Sequence, residues 1–263
     1  MPAYTHGHHE TVLSSHQWRT AENSAAYLIE HLRPGHAVLD VGCGPGTITA
    51  GLAGRVAPGR VVAADSAETV LDEARKSTAA LDNVEFAVAD VHALDFPDAT
   101  FDVVHAHQVL QHVTDPVQAL REMRRVAKPG GIVAARDADF GTMIWYPEPP
   151  AMAPWLPVYY RVARGNGGEP DAGRRLVSWA RAAGFTDVAA SASAWCYATP
   201  EEREWWSESW GGRLIRSSVA DQAVAGGHAT REELRQIYAG WKEWAAAEDG
   251  WYSVTHGEIL CRA

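Results

Sequence analysis

The sequence predicts an α/β protein: a doubly wound, mostly parallel sheet of seven strands flanked by helices, with helical or irregular insertions after the fifth and sixth strands. Three observations carry this expectation. Apolar runs of strand length at 37–41, 60–64, 84–89, 101–105 and 131–135 alternate with stretches of helical periodicity. Two further runs, at 185–190 and 253–261, supply strands near the end of the chain. The first run leads directly into glycines at alternate positions, which lets the backbone turn sharply from strand to helix.

Length and composition narrow the organisation. At 263 residues the chain lies near the upper end of what one hydrophobic core supports, so one domain with insertions is expected over 1–263. Its parts are an N-terminal helical cover at 1–35, a ligand-binding core at 36–140, insertions at 141–173 and 195–250, and the last strand at 251–263. A hydrophobic fraction of 46% with 21% charge fits an ordinary globular protein. The formal net charge of −10 repels phosphate backbones and anionic lipid surfaces, so neither nucleic acid nor membrane is an expected partner. With no apolar run of 18 residues and no secretory leader pattern, a cytoplasmic location is expected. Cys43, Cys196 and Cys261 are too scattered for a disulfide framework or a thiolate metal site. His6, His8 and His9 resemble a metal-binding tract but sit at a terminus, and no metal is expected.

The elements follow in order. From Thr20, Ala25, Leu28, Ile29 and Leu32 have the spacing of one amphipathic helix, which Pro34 and Gly35 stop. After the five alternating strands, 141–170 holds Pro147, Pro149, Pro150, Pro154 and Pro157 among aromatics, which suggests an ordered but irregular excursion. Thr199, Pro200 and Glu202 read as a helix start, and Thr230 with Glu233 as another. Leu234, Ile237, Trp241 and Trp244 give the second of these one apolar face.

The ligand signal is the segment Val38-Leu39-Asp40-Val41-Gly42-Cys43-Gly44-Pro45-Gly46. Glycines there let a backbone approach a ligand without Cβ in the way. The dinucleotide fingerprint needs a further glycine where Thr47 stands, which disfavours a pyrophosphate site. Asp65 follows the second strand, nineteen residues beyond Gly46, where a carboxylate suits ribose hydroxyls. Asp90 follows the third, where it can accept from an adenine amino group. Asp40, Asp65 and Asp90 thus end three successive strands on the carboxyl edge, where open α/β sheets bind ligands.

The segment 38–46 with Asp65, Asp90, Phe101-Asp102-Val103-Val104, Leu110-Gln111-His112-Val113 and Lys128-Pro129-Gly130-Gly131 resembles the class I methyltransferases that use S-adenosyl-L-methionine (SAM), especially the ubiquinone and menaquinone biosynthesis C-methyltransferases. The resemblance covers roughly residues 15–137 and implies a Rossmann-like sheet, SAM as cofactor and S-adenosyl-L-homocysteine (SAH) as product. It implies that Gly42, Gly44 and Gly46 hold the methionine portion with Asp40 beside them, that Asp65 with Ser66 binds ribose, and that Asp90 and Val91 bind adenine. Ser66 and Ala67 depart from the apolar-then-serine pair usual after the ribose acid. The first helix would cover the cofactor, with Trp18 and Arg19 closing over SAM and Arg19 facing its carboxylate.

Methyl transfer needs positioning above all, and a base when the acceptor must lose a proton. His107 matches a position at the mouth of the methyl channel and is the first candidate for base and cofactor neighbour. His112 matches a histidine common in the family, with a structural role as open as a catalytic one. His105, inside the strand, reads as a satisfied core residue. Tyr27 could orient an acceptor or relay a proton to His107, or simply pack.

Of eleven tryptophans only Trp18 precedes Trp145, so ten lie in the half that carries the insertions. Trp145, Trp155, Trp195, Trp205, Trp206 and Trp210 could stack on a flat ligand or fill a core; Trp241 and Trp244 read as core. The acceptor expected is a small hydrophobic, aromatic natural product, indole-like or phenolic, methylated at carbon with histidine assistance. N- or O-methylation of another metabolite, and a protein that binds SAM without turnover, remain alternatives.

Overall fold

The computed structural model describes residues 18–263, so the His6–His9 tract lies outside the described residues. The apolar runs form β1 (Val38–Val41), β2 (Val61–Asp65), β3 (Val84–Val88), β4 (Phe101–His107), β5 (Ala127–Tyr146), β6 (Val188–Tyr197) and β7 (Trp251–Arg262), hydrogen-bonded in the order β3-β2-β1-β4-β5-β7-β6. Every pairing from β3 to β5 is parallel, and β7 runs antiparallel to both β5 and β6. The expected seven-stranded, mostly parallel sheet is therefore present. All four residues of β1 are buried, as a strand covered on both faces requires.

Helices α1 (Ala21–Ser24), α2 (Ala26–Ile29), α3 (Thr47–Val56), α4 (Glu68–Ser77), α5 (Pro116–Val126), α6 (Trp155–Gly165) and α7 (Leu176–Ala182) precede β6; α8 (Pro200–Arg216), α9 (Ser218–Ala225) and α10 (Arg231–Ala246) separate β6 from β7. The starts of α8 and α10 carry the reciprocal caps read from the sequence: Thr199 and Thr230 accept from the backbone of Glu202 and Glu233, whose carboxylates accept from the threonine backbones.

Three local expectations are corrected. The single helix expected from Thr20 is two short segments broken at Ala25, because the carbonyl of Asn23 accepts from the indole of Trp195 at 2.9 Å instead of continuing the helical ladder. The excursion expected from Gly141 begins as strand: β5 runs to Tyr146, pairing with β7 from Ile132↔Arg262 through Tyr146↔Trp251. The ladder shifts register between Asp139 and Ile144, and the Thr142 hydroxyl repairs the gap by accepting from Thr255 N and donating to Asp139 O. Trp195, placed in an insertion by the sequence reading, belongs to β6.

Consequently β5, β6 and β7 project well past the carboxyl ends of β1, β2 and β4. Against this projection α6, α8 and α10 pack an aromatic core of Trp155, Trp206, Trp210, Trp241, Trp244, Tyr197 and Tyr252. Trp241 is fully buried, with Trp155 at 5.1 Å and Trp244 and Tyr252 at 5.8 Å between ring centroids. Trp241→Ala should lower the urea-unfolding free energy by about 3–5 kcal/mol. A loss under about 1 kcal/mol would mean that this core tolerates the cavity.

Candidate active site

A cavity of about 260 Å³ opens at the carboxyl edge of β1, β2 and β4 and continues beneath the projecting strands. Its inner floor is the turn after β1. Gly42, Gly44 and Gly46 all have positive φ, a backbone conformation costly to other residues. A Cβ on Gly42 would meet Val109 Cγ2 at 2.4 Å, and one on Gly46 would meet Ala74 Cα of α4 at 2.9 Å. The turn is thus clamped between two elements, and Gly46 starts α3 with its N-terminus toward the cavity.

The carboxylates hold this floor in different ways. Asp65 accepts from Gly44 N at 3.1 Å and Ala67 N at 3.2 Å, bracing the turn while lining the cavity. Asp90 lies two residues past β3, half-exposed, and the backbone N–H and ring of His92 keep its carboxyl below the usual range. Asp40 is buried; it accepts from Thr49 Oγ1 at 2.6 Å and from His105 Nδ1 at 2.8 Å. That pair explains how a histidine sits inside β4.

Where the floor meets the projecting strands, His107 ends β4 with both ring nitrogens buried and without a hydrogen-bond partner among the described residues. Burial pushes its imidazole well below the usual histidine range, and the guanidiniums of Arg136 and Arg19 add to the shift. Arg136 stands beside His107 in register on β5, almost fully buried, paired with Glu258 of β7 and lying 4.7 Å over the Trp195 ring. The Glu258 carboxylate also accepts from Ser191 and Ser193 of β6. Beyond His107 the walls are Phe140 and Met143 from the irregular stretch of β5, Val254 and His256 from β7, Trp195 and Tyr197 from β6, and Trp206, Trp210 and Arg213 from α8.

A family model described as a methyltransferase domain matches residues 39–135, the part that builds this floor. An uncharacterized methyltransferase of Schizosaccharomyces pombe is 34% identical over 98% of this chain and 95% of its own. The demethylmenaquinone methyltransferase of Staphylococcus aureus is 38% identical over 113 residues, 43% of this chain and 47% of its own. The structure is similar, with a TM-score of 0.56 and 19% identity, to phosphoethanolamine N-methyltransferase 2 of Haemonchus contortus in complex with phosphomonomethylethanolamine and S-adenosylhomocysteine, covering 88% of this chain and 49% of that one. The chain belongs to the class I SAM-dependent methyltransferases.

In this methyltransferase most of the residues singled out from sequence come together on one cavity. Asp40, Gly42, Gly44, Asp65, Ser66, Asp90, Val91, His107, His112 and Arg19 all line it. Gly46 lies behind the turn against α4, and Trp18 stands outside, edge-on to Trp195 at 5.2 Å. Tyr27 does not line the cavity; it packs beside the cluster of Leu28, Val38 and Val103, near the charges of Arg136 and Glu258. Of the tryptophans, Trp195, Trp206 and Trp210 reach the cavity, whereas Trp145 and Trp155 pack in the aromatic core.

Several residues that line or adjoin the cavity escaped sequence reasoning. Gln108, in the left-handed region at φ +53°, donates its backbone N–H to Arg136 O, and its amide meets His256 Nε2 at 2.9 Å. Gln111 accepts from Ala138 N, so its amide nitrogen donates to His112 Nε2 at 3.0 Å. His256, Tyr197, Arg136 and Glu258 sit in strands where the only available signal was polar or aromatic residues repeating on one face of an otherwise apolar run.

His112 yields a pH prediction. Burial lowers its pKa to about 3, with Arg19 and Arg213 contributing, whereas the unfolded chain protonates near 6.5. Between these values the unfolded state binds more protons, so stability is full above pH 6.5 and falls as the pH drops toward 3, by up to about 1.4 kcal/mol per pH unit from this residue. Urea unfolding of His112→Asn between pH 7 and 5 should show a shallower decline than the parent protein. Equal slopes would remove His112 as a source.

Proposed function

We propose that this cavity binds SAM at its floor and methylates a small hydrophobic aromatic acceptor, indole-like or phenolic, at carbon in the chamber beyond His107. The observation that carries the reading is His107 itself: a buried, neutral imidazole with both nitrogens unpartnered among the described residues, set between the glycine turn and the aromatic walls.

The donor set fits SAM. Asp65 lines the cavity at the end of β2, where its carboxylate would accept from ribose hydroxyls. Asp90 and Val91 would flank adenine, the turn from Gly42 to Gly46 would hold the methionine backbone, and Arg19 would face the carboxylate. When bound, SAM supplies an electrophilic methyl group whose sulfonium leaves as the neutral thioether of SAH. The chain does the rest. Phe140, Met143, Trp206 and Trp210 stack on the acceptor, exclude water and fix its approach, which is where most of the acceleration of an in-line displacement arises. His107 takes the proton that the acceptor loses, and the nearby guanidiniums of Arg136 and Arg19 make the resulting imidazolium quick to release it. Methylation at carbon draws further support from the partial similarity to the demethylmenaquinone enzyme.

Calorimetry with SAM tests the floor. Asp65→Ala removes ribose acceptors and Gly44→Val puts a side chain on a left-handed residue, so each should weaken SAM at least about 100-fold with the far-UV dichroism unchanged. Wild-type affinity in both variants would refute the site.

Turnover tests the base. In a screen of indolic, phenolic, quinone, amine and sterol-like compounds with labelled SAM, aromatic acceptors should be methylated, and His107→Ala should lower kcat about 100-fold or more while SAM affinity holds. Because His107 stays unprotonated well below pH 6.5, the acid limb of kcat/KM should lie below that value. Turnover confined to aliphatic amines or acids would show that the rings serve only as packing.

A further inference from the structure

We propose that the hydroxyl of Tyr197 is a second recognition point for the acceptor, taking a hydroxyl or carbonyl at the end remote from the methylated atom. The inference rests on the chamber reading above and deepens it. Tyr197 is fully buried and lines the cavity, and its hydroxyl has no hydrogen-bond partner among the described residues. A phenol buried without a partner is destabilising relative to phenylalanine, which would fill the same space. Its ring is held in place by stacking on Trp206, 4.2 Å between centroids and 20° between planes, with Trp18 and Trp205 at 5.7 and 5.8 Å. A hydroxyl so fixed is preorganised for a ligand rather than adaptable.

Position in the sheet tells which part of the ligand it meets. His107, Arg136, Glu258 and Ser191 form one row across β4, β5, β7 and β6. Tyr197 is six residues farther along β6 and two beyond Trp195 on the same face; the Trp195 ring lies 5.7 Å from His107, so Tyr197 stands about one ring farther from the cofactor floor. The cavity therefore has His107 beside the cofactor floor and Tyr197 toward its far end, with Phe140, Met143, Trp206 and Trp210 among the apolar walls. The matching acceptor is an elongated, fused-ring aromatic with a polar group at each end.

The test uses the SAH-loaded protein and three probes, naphthalene, 2-naphthol and 2,6-dihydroxynaphthalene, read by tryptophan fluorescence and calorimetry. The wild-type protein should bind the diol about threefold to tenfold more tightly than 2-naphthol, the gain of one hydrogen bond. In Tyr197→Phe, which keeps the stacked ring, that step should vanish while the affinities for 2-naphthol and SAH stay as they were. Equal affinity of the wild-type protein for the diol and 2-naphthol, or a diol preference that survives in Tyr197→Phe, overturns the Tyr197 assignment and leaves the aromatic chamber standing. Failure of all three probes to bind overturns the chamber reading and this inference with it.

Discussion

The pairing of β5 with β7 is the constraint on which the rest of the molecule hangs. At one end this ladder closes the sheet, carrying β6 and facing β4; at the other it runs past every parallel strand and becomes the back wall of the cavity. The projection is a three-stranded antiparallel ribbon, since Tyr252 pairs with both Trp145 and Tyr197, and its apolar face is covered by the aromatic core. The register shift between Asp139 and Ile144 turns the projection to use, since it accommodates Phe140 and Met143 on the cavity wall without ending the pairing.

The same ladder imports charge. Arg136 and Glu258 face each other across it, buried, and the serine hydroxyls of β6 complete the carboxylate's bonds. Removing one member of such a pair typically costs about 3–5 kcal/mol, whereas replacing both by apolar groups is often harmless, so stability alone is a weak reason for the pair to exist. Its electrostatic effect on neighbours is more specific. Arg136 is the leading charge that disfavours protonation of both His107 and His256, after burial itself. Arg136 thus adds to burial in keeping two cavity imidazoles neutral.

How much of this was legible in the sequence follows from the range of each interaction. The strands of the parallel half show as apolar runs, the glycine turn as a spacing, and the caps at Thr199 and Thr230 as pairs three residues apart, all patterns contained within a few residues of sequence. Asp40 shows the limit: its type and place were readable, but not that Thr49 and His105 occupy its oxygens. The break at Ala25 depends on an indole 172 residues from Asn23, whose carbonyl it binds. The strand from Gly141 to Tyr146 was hidden because its partner lies more than a hundred residues downstream and nearby prolines mimic a loop. For His256 and Tyr197 the alternation of polar or aromatic residues along a strand shows a face but not what it meets, since only the folding of β6 and β7 onto β5 brings them to the cavity.

The division of labour along the cavity has a consequence for how its shape can change. The floor is built by short-range geometry around Gly42, Gly44 and Asp65, and a side chain added at Gly42 or Gly46 collides with Val109 or α4. The far walls are single side chains on β5, β6 and α8 whose replacement leaves that turn untouched. Exchanges among Phe140, Met143, Trp206 and Trp210 would therefore reshape the upper cavity without disturbing the glycine turn beneath it.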